Sequence, residues 1–526
     1  MTGKRSVRVN RPYRYTASPC LVRWASLALA TAPALLPGTV TAQQDDVQAA
    51  PRQPSMVFEP RISVQHTITS NARLDAASIS DQVTEVSPGF QLISNMARIK
   101  GFVDYSLHDT YYARESRFNE IRHSLNASAV VEAIEQWAFV DVDAVVASQP
   151  ISAFGAPVDG SPANANSSQT SSFRLSPYLR GRMGSVADYE ARYSVQDTRT
   201  KTDSRSDVTT QEWVLRLGSQ ESGRVVGWSV DASDQVADYS PGRRIKTTTL
   251  RARVNVAVTP QVRLTGIGGA ESTNQLSPTR ESHSITGFGA AWQPSERTRM
   301  SFERESRYFG GSHNAAIEHR TGRTVWRYTD VKAVSNGLGA QSASLGSLFD
   351  LFDGFYTQIE PDPVRRTQLV LAEIERLGLP ANVQVFQDFL RSSSTLQRAQ
   401  QLSLALLGQR STVTLAVSRS DSRALGGALQ LGDDFDTNSR IRQRGWSLWL
   451  AHRLTPNSSI HANWGDQRSA GTLPGLETRV RSLVLGWNTL LAHRTSAGLQ
   501  IRRVVSDGPA SPYSESAIVG TITHRF

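Results

Sequence analysis

The sequence predicts an all-β fold: a transmembrane antiparallel β-barrel of about 20 strands, between roughly 16 and 22, with one α-helical insert. Three observations carry that expectation. From Phe58 onward, segments of about ten residues recur with apolar residues at alternate positions, the period of a strand whose two faces meet different media. The links between segments alternate in length. Asn95-Met96, Thr259-Pro260-Gln261, Pro294-Ser295-Glu296 and Thr455-Pro456-Asn457 are tight, whereas 151–172, 201–209 and 425–439 are long and polar. Outer-membrane barrels pair short periplasmic turns with longer outer loops; a soluble sandwich, which also alternates along its strands, shows no such pattern of connections. Finally, residues 516–526 place Ile518, Gly520, Ile522, His524 and Phe526 on one face, and a terminal Phe on an alternating strand resembles the insertion signal of outer-membrane barrels.

Residues 1–42 read as a secretory signal peptide. Lys4, Arg5, Arg8, Arg11, Arg14 and Arg23 form a basic region without an acid, 24–36 is apolar, and Val40-Thr41-Ala42 fits a small-residue cleavage site. This segment holds six of the 57 basic residues and none of the 47 acidic ones, so its removal lowers the net charge from +10 to +4. The basic balance of the whole chain is therefore largely a targeting feature and no argument for a nucleic-acid partner. Cys20, the single cysteine, also lies there. The mature chain then has no disulfide, no thiolate metal site and no cysteine nucleophile. Hydrophobic residues make up 39% of the chain and charged residues 20%; no apolar run after the signal is long enough for a membrane helix, which leaves strand spanning open.

Residues 43–56 are expected to be a mobile leader, and 57–335 the first series of barrel strands. Val103, Tyr105 and Leu107 alternate with Asp104, Ser106 and His108; Val140, Val142, Ala144 and Val146 alternate with a face bearing Asp141 and Asp143. Leu250, Ala252, Val254, Val256 and Val258 alternate with Arg251, Arg253 and Asn255. Residues 336–409 form the expected insert, with helical periodicity over 344–408: Leu348, Leu351 and Phe352, then Val370, Leu371, Ile374 and Leu377, then Leu402, Leu404 and Leu407. Asp362-Pro363 is a helix start, and Gly378 and Pro380 close that helix. If 313–334 is one strand, strand parity places the insert in the periplasm or folded into the lumen; a hidden turn at Thr321-Gly322-Arg323 would reverse this. Residues 410–526 supply the remaining strands. Tyr111, Tyr112, Trp292, Trp446 and Trp487 sit near strand ends, as interfacial girdles require.

The sequence assigns no catalytic, cofactor-binding or metal-binding residue, and the chain is expected not to be an enzyme. Asp141 and Asp143 share a strand face, about 7 Å apart, and fit a polar lumen lining. His461 and His524 lack an accompanying nucleophile elbow. Gly266-Ile267-Gly268-Gly269 lies within a strand, where small residues ease curvature or close backbone approach. Asp433-Asp434-Phe435-Asp436 is an acidic outer loop without the remaining spacing of a calcium loop. Arg251, Arg253, Arg442 and Arg444 are expected to tune the electrostatics of the lumen.

The stretches EPRISVQHTITSN, TEVSPGFQL, VDYSLHDTYY, HSLNASAVVEAIEQWAFVDVDAVVASQPISAFG, LSPYLRGRMGS and DPVRRTQLVLAEIERLGLP together resemble the PEP-CTERM system-associated outer-membrane proteins found with exosortase and exopolysaccharide genes in Gram-negative bacteria. The resemblance runs over nearly all of the mature chain. It implies an outer-membrane barrel linked to exopolysaccharide production or export, acting as conduit or anchor, and carries no catalytic residues with it. A general solute porin is the alternative; an outer-membrane enzyme or a soluble secreted β-protein are further classes. Expected partners are outer-membrane lipid, the barrel-assembly machinery, exopolysaccharide and periplasmic export proteins.

Overall fold

Alternation at period 2 recurs along most of the chain, and a sheet this wide leaves two unpaired edges unless it closes on itself. The computed structural model describes residues 55–526 apart from 158–162, 202–206, 220–224, 241, 336–351, 353–355, 357–362, 377–388, 392–393, 427–432 and 509–511. The expected signal peptide, 1–42, and residues 43–54 of the expected leader lie outside the described residues. Met56, expected in the leader, opens the first strand.

The first strands are β1 (Met56–Thr69), β2 (Asp81–Asn95), β3 (Ile99–Tyr112), β4 (Glu120–Ile134), β5 (Ala138–Pro150), β6 (Ser167–Met183) and β7 (Ala187–Thr200). They continue as β8 (Asp207–Ser219), β9 (Val226–Ser240), β10 (Arg244–Thr259), β11 (Val262–Thr273), β12 (Glu281–Ser295), β13 (Thr298–Arg307), β14 (Gly310–Arg320) and β15 (Thr324–Ser335). After the insert come β16 (Thr395–Leu407), β17 (Ser411–Ala424), β18 (Arg440–Thr455), β19 (Ser458–Ala470), β20 (Glu477–Ala492), β21 (Thr495–Asp507) and β22 (Tyr513–Arg525). Each pairs antiparallel with the next, and β1 pairs with β22 from Arg61 opposite Arg525 to Thr69 opposite Ala517. The result is a closed 22-stranded barrel.

The structure corrects the expected count of about 20 at two places. Thr321-Gly322-Arg323 is a turn, so the stretch expected as one strand is β14 and β15. The Thr321 hydroxyl accepts from the backbone N–H groups of Arg323 and Thr324 and shapes that turn. The Leu402, Leu404 and Leu407 segment, expected to be helical, is β16, paired on both sides. Strand pairing overrides the helix propensity of its Leu, Gln, Ala and Arg residues.

These corrections also move the insert. Links after even-numbered strands are short (96–98, 260–261, 408–410, 456–457), and those after odd-numbered strands include the long ones (70–80, 151–166, 425–439). The segment between β15 and β16 follows an odd-numbered strand. It therefore leaves the barrel at the long-loop mouth, opposite the end to which parity with a single 313–334 strand assigned it. Its described helix, α1 (Pro363–Arg376), begins at the expected proline. Leu348, Leu351, Asp362, Leu377, Gly378, Pro380 and Phe386 lie outside the described residues.

The outward face is an apolar belt. Phe58, Ile62, Phe173, Trp213, Val254, Phe288, Trp326, Leu402, Leu450, Trp464, Leu485 and Ile518 are all exposed large hydrophobics, and such residues recur around the entire ring. A belt of this extent in water would be an aggregation surface; in a bilayer it is the solvated face. The barrel is built to span a membrane. Tyr111, Trp292 and Trp487 stand exposed on this face as expected, whereas Tyr112 is buried. Gly269 faces inward against β10: a Cβ there would stand 2.2 Å from the Leu250 carbonyl oxygen, so close strand approach demands glycine.

Candidate functional site: the barrel lumen

A barrel of 22 strands is too wide for wall side chains alone to fill it. The inward-facing residues include two walls of different chemistry. Across β5 to β13 the wall is a chain of arginine–carboxylate pairs. Asp141 meets Arg192 at 2.6 Å, and Asp143 meets Arg174 at 2.8 Å and the Ser128 hydroxyl at 2.9 Å. Arg253 pairs with Asp231 and lies 3.6 Å from Glu303, Arg251 pairs with Glu305 at 3.0 Å, and Arg307 pairs with Glu271 at 2.6 Å. Each carboxylate has a cation in reach, which keeps the wall hydrophilic with little net field. In the link between β13 and β14, the Tyr308 N–H donates to Glu271 at 2.7 Å and its hydroxyl bonds Gln275. Burial, with the Glu271 charge adding to it, pushes the Tyr308 phenol well above its ordinary range. Asp141 and Asp143 are thus lumen lining, as their strand pattern predicted.

The opposite wall, β16 to β19, carries small and uncharged inward residues: Ser403, Thr414, Ala416, Ser420, Gln443 and Ser447, all buried. Side chains this small on the inside of a wide barrel are buried because chain lies on them. Phe352, Val370 and Ile374 of the insert pack on Trp449 and Ala451 of β18. Those two residues sit toward the short-turn end of their strand, so the insert enters at the long-loop mouth and reaches down most of the lumen. Its return crosses the mouth. Phe389 packs with Phe154, Phe435 and Ile441, while Leu390 packs with Val208, Ala237, Tyr239 and Ile245 on the far wall. The Leu390 N–H donates to the Pro150 carbonyl at 2.9 Å.

The loop between β5 and β6 folds inward beside it. The Ser152 hydroxyl and the Ala153 N–H donate to Asp434 at 3.1 and 2.7 Å, and the Thr478 hydroxyl donates to the Phe154 carbonyl at 3.1 Å. The acidic loop 433–436 therefore clamps a neighbouring loop, with Phe435 buried. Against the charged wall a cavity of about 340 Å³ persists, lined among others by Glu212, Gln235, Thr249, Glu303, Glu305 and Arg307.

Other expectations are redistributed. Arg251 and Arg253 face the lumen, but Arg442 and Arg444 do not: they share parity with exposed Leu450 and Leu454 and stand on the outer face, past the end of the apolar belt. His461 faces the lumen with its ring over Gly486, where a Cβ would come within 2.2 Å of it. His524 lies on the opposite, outward face, stacked edge-on to Phe526 at 4.9 Å, so the two histidines share no site. Sequence reasoning missed the receiving wall; its signal is the small-residue alternation Thr412, Thr414, Ala416, Ser418, Ser420, Ser422 along β17.

No protein-family model and no curated protein matches the sequence. Among solved structures, the siderophore receptor PirA from Pseudomonas aeruginosa is 9% identical, with 90% of this chain and 81% of that chain covered and a TM-score of 0.44. The FrpB iron transporter from Neisseria meningitidis is 11% identical over 89% of this chain and 81% of that one, with a TM-score of 0.47. The alcaligin outer-membrane receptor FauA from Bordetella pertussis is 10% identical over 89% and 76%, with a TM-score of 0.41.

Proposed function

We propose that the protein is an outer-membrane conduit, closed at rest by its own insert, that passes a hydrophilic cargo along the charged wall of the lumen. The observation that carries this is the pairing of two unlike walls: β16 to β19 are buried under the chain's own segment, while β5 to β13 stay charged and leave a polar cavity. An anchor would need no such lumen, and a general porin would leave it open. The insert is a removable cover, because both of its ends join the barrel at one mouth, and among the described residues it meets β18 through the Phe352, Val370 and Ile374 cluster.

The resemblance in sequence to the PEP-CTERM system-associated proteins makes exopolysaccharide the proposed cargo. Alternating guanidinium and carboxylate groups suit such a polymer, since they bond hydroxyls of either polarity along its length. Periplasmic export proteins would meet the barrel at its short-turn rim, and the barrel-assembly machinery would insert it.

Planar-bilayer conductance tests the closed conduit. The intact protein should conduct weakly, and a chain in which residues 340–388 give way to a short Gly/Ser linker, β16 being retained, should conduct many-fold better. Equal conductance of the two would sink the proposal.

A further inference from the structure

The outer face beyond the apolar belt is not uniform around the ring. Strand register sets Arg419 of β17 opposite Arg444 of β18, Arg444 opposite Arg468 of β19, and Arg468 opposite Arg479 of β20. Directly opposed residues share a face, so four arginines run in a row across four strands, about 4.8 Å apart and about 14 Å end to end. The row lies on the long-loop side, one alternate position past Val417 and Trp446 of the belt. Beneath it, Trp446 and Trp464 meet edge to face at 5.0 Å, and Trp464 is 53% exposed.

Like charges set directly opposite one another weaken a sheet. Two of the four are offset by carboxylates, Arg468 by Glu477 and Arg479 by Asp466 at 2.6 Å. The side chains of Arg419 and Arg444 make no hydrogen bond or ion pair among the described residues, and Arg442, the next outward residue of β18, acts on Asp421 only through its charge. Asp421 stands opposite Arg442 in the register but is engaged by Arg440 and, at 3.8 Å, by Arg423. On the other side of the barrel, outward Asp197 pairs with Arg199 at 2.8 Å and outward Asp234 with Lys246 at 3.2 Å.

We propose that the β17–β20 row is a docking surface for phosphorylated lipid of the outer leaflet. Guanidinium forks match phosphate oxygens, and Arg419 and Arg444 are the two of the row left to take them, with Arg442 beside them. The tryptophan pair supplies the interfacial step below, and Val417, Leu448 and Leu483 offer an aliphatic track for acyl chains. A free phosphate would use the arginines alone; a lipid uses both levels, and the continuity of the two on one face favours the lipid.

Native mass spectrometry of the full chain in detergent, titrated with bis-phosphorylated lipid A, tests this. Each arginine near an anionic membrane surface contributes about fivefold in affinity, so the double variant Arg419→Gln, Arg444→Gln should bind lipid A at least about tenfold more weakly. Arg199→Gln on the far side should bind as the intact protein does, and both should keep heat-modifiable gel migration. Dephosphorylated lipid A should bind poorly, and inorganic phosphate or a soluble acidic polysaccharide should not displace the lipid. Unchanged affinity in the double variant, equal binding of the dephosphorylated lipid, or displacement by either soluble anion would overturn the proposal. Should the double variant fail to fold, titrating the intact protein at rising salt decides instead: salt-insensitive binding counts against the arginines, and weakening with salt supports them.

Discussion

Val254 and Arg253 are neighbours in the chain and face opposite media. Val254 is 49% exposed on the outward face of β10, paired with Trp228 and Gly266, while Arg253 turns inward to Asp231 and Glu303. An arginine near the bilayer midplane costs about 2–4 kcal/mol in a barrel. Val254→Arg should therefore destabilise by about that amount in lipid vesicles. Arg253→Ala should cost less than about 1 kcal/mol, because the pairs it breaks lie in a wet lumen and Arg216 remains 3.9 Å from Asp231. Equilibrium unfolding of the two variants in the same vesicles checks the asymmetry. Equal losses would mean that the two faces do not meet different solvents.

At the scale of the element, the insert shows what local sequence can and cannot specify. Asp362-Pro363 announced the start of α1, since a proline needs no N–H partner in the first turn, and the helix begins there. Ile317 and Trp326 are both exposed on the outer face although one is odd- and the other even-numbered, a phase shift in the sequence that marks the turn at 321–323. β16 was illegible for a physical reason: Thr395 to Leu407 is composed of good helix formers, and its conformation is set by β15 and β17, partners distant in sequence or still to come. The side of the barrel on which the insert emerges followed from those two elements, so misreading both displaced it by the full height of the membrane. Ile374→Asp would place a carboxylate in the buried contact with Trp449 and Ala451, at a cost of several kcal/mol if it stayed there. The helix should leave the wall, and conductance should rise toward that of the linker replacement while the barrel still migrates as a folded protein. A variant that conducts as weakly as the intact chain would show that this contact does not hold the lumen shut.

For the whole molecule, closure, orientation and the two proposals are linked through the distribution of loops. The closed lumen depends on segments that fold in from the long-loop mouth, and the arginine row is useful only if that mouth opens on the leaflet that carries the phosphorylated lipid. Both follow if the short links are periplasmic, the arrangement outer-membrane barrels adopt. The chain is well suited to a direct test, because a Cys20→Ser background contains no cysteine. Leu473 is exposed in the link between β19 and β20, on the long-loop side, and Glu296 is exposed in the short link between β12 and β13. In intact cells a membrane-impermeant maleimide should label Leu473→Cys at once and Glu296→Cys only after the outer membrane is permeabilised. The reverse pattern would turn the barrel over: the insert would then close the lumen from the periplasm, and the arginine row would face the inner leaflet.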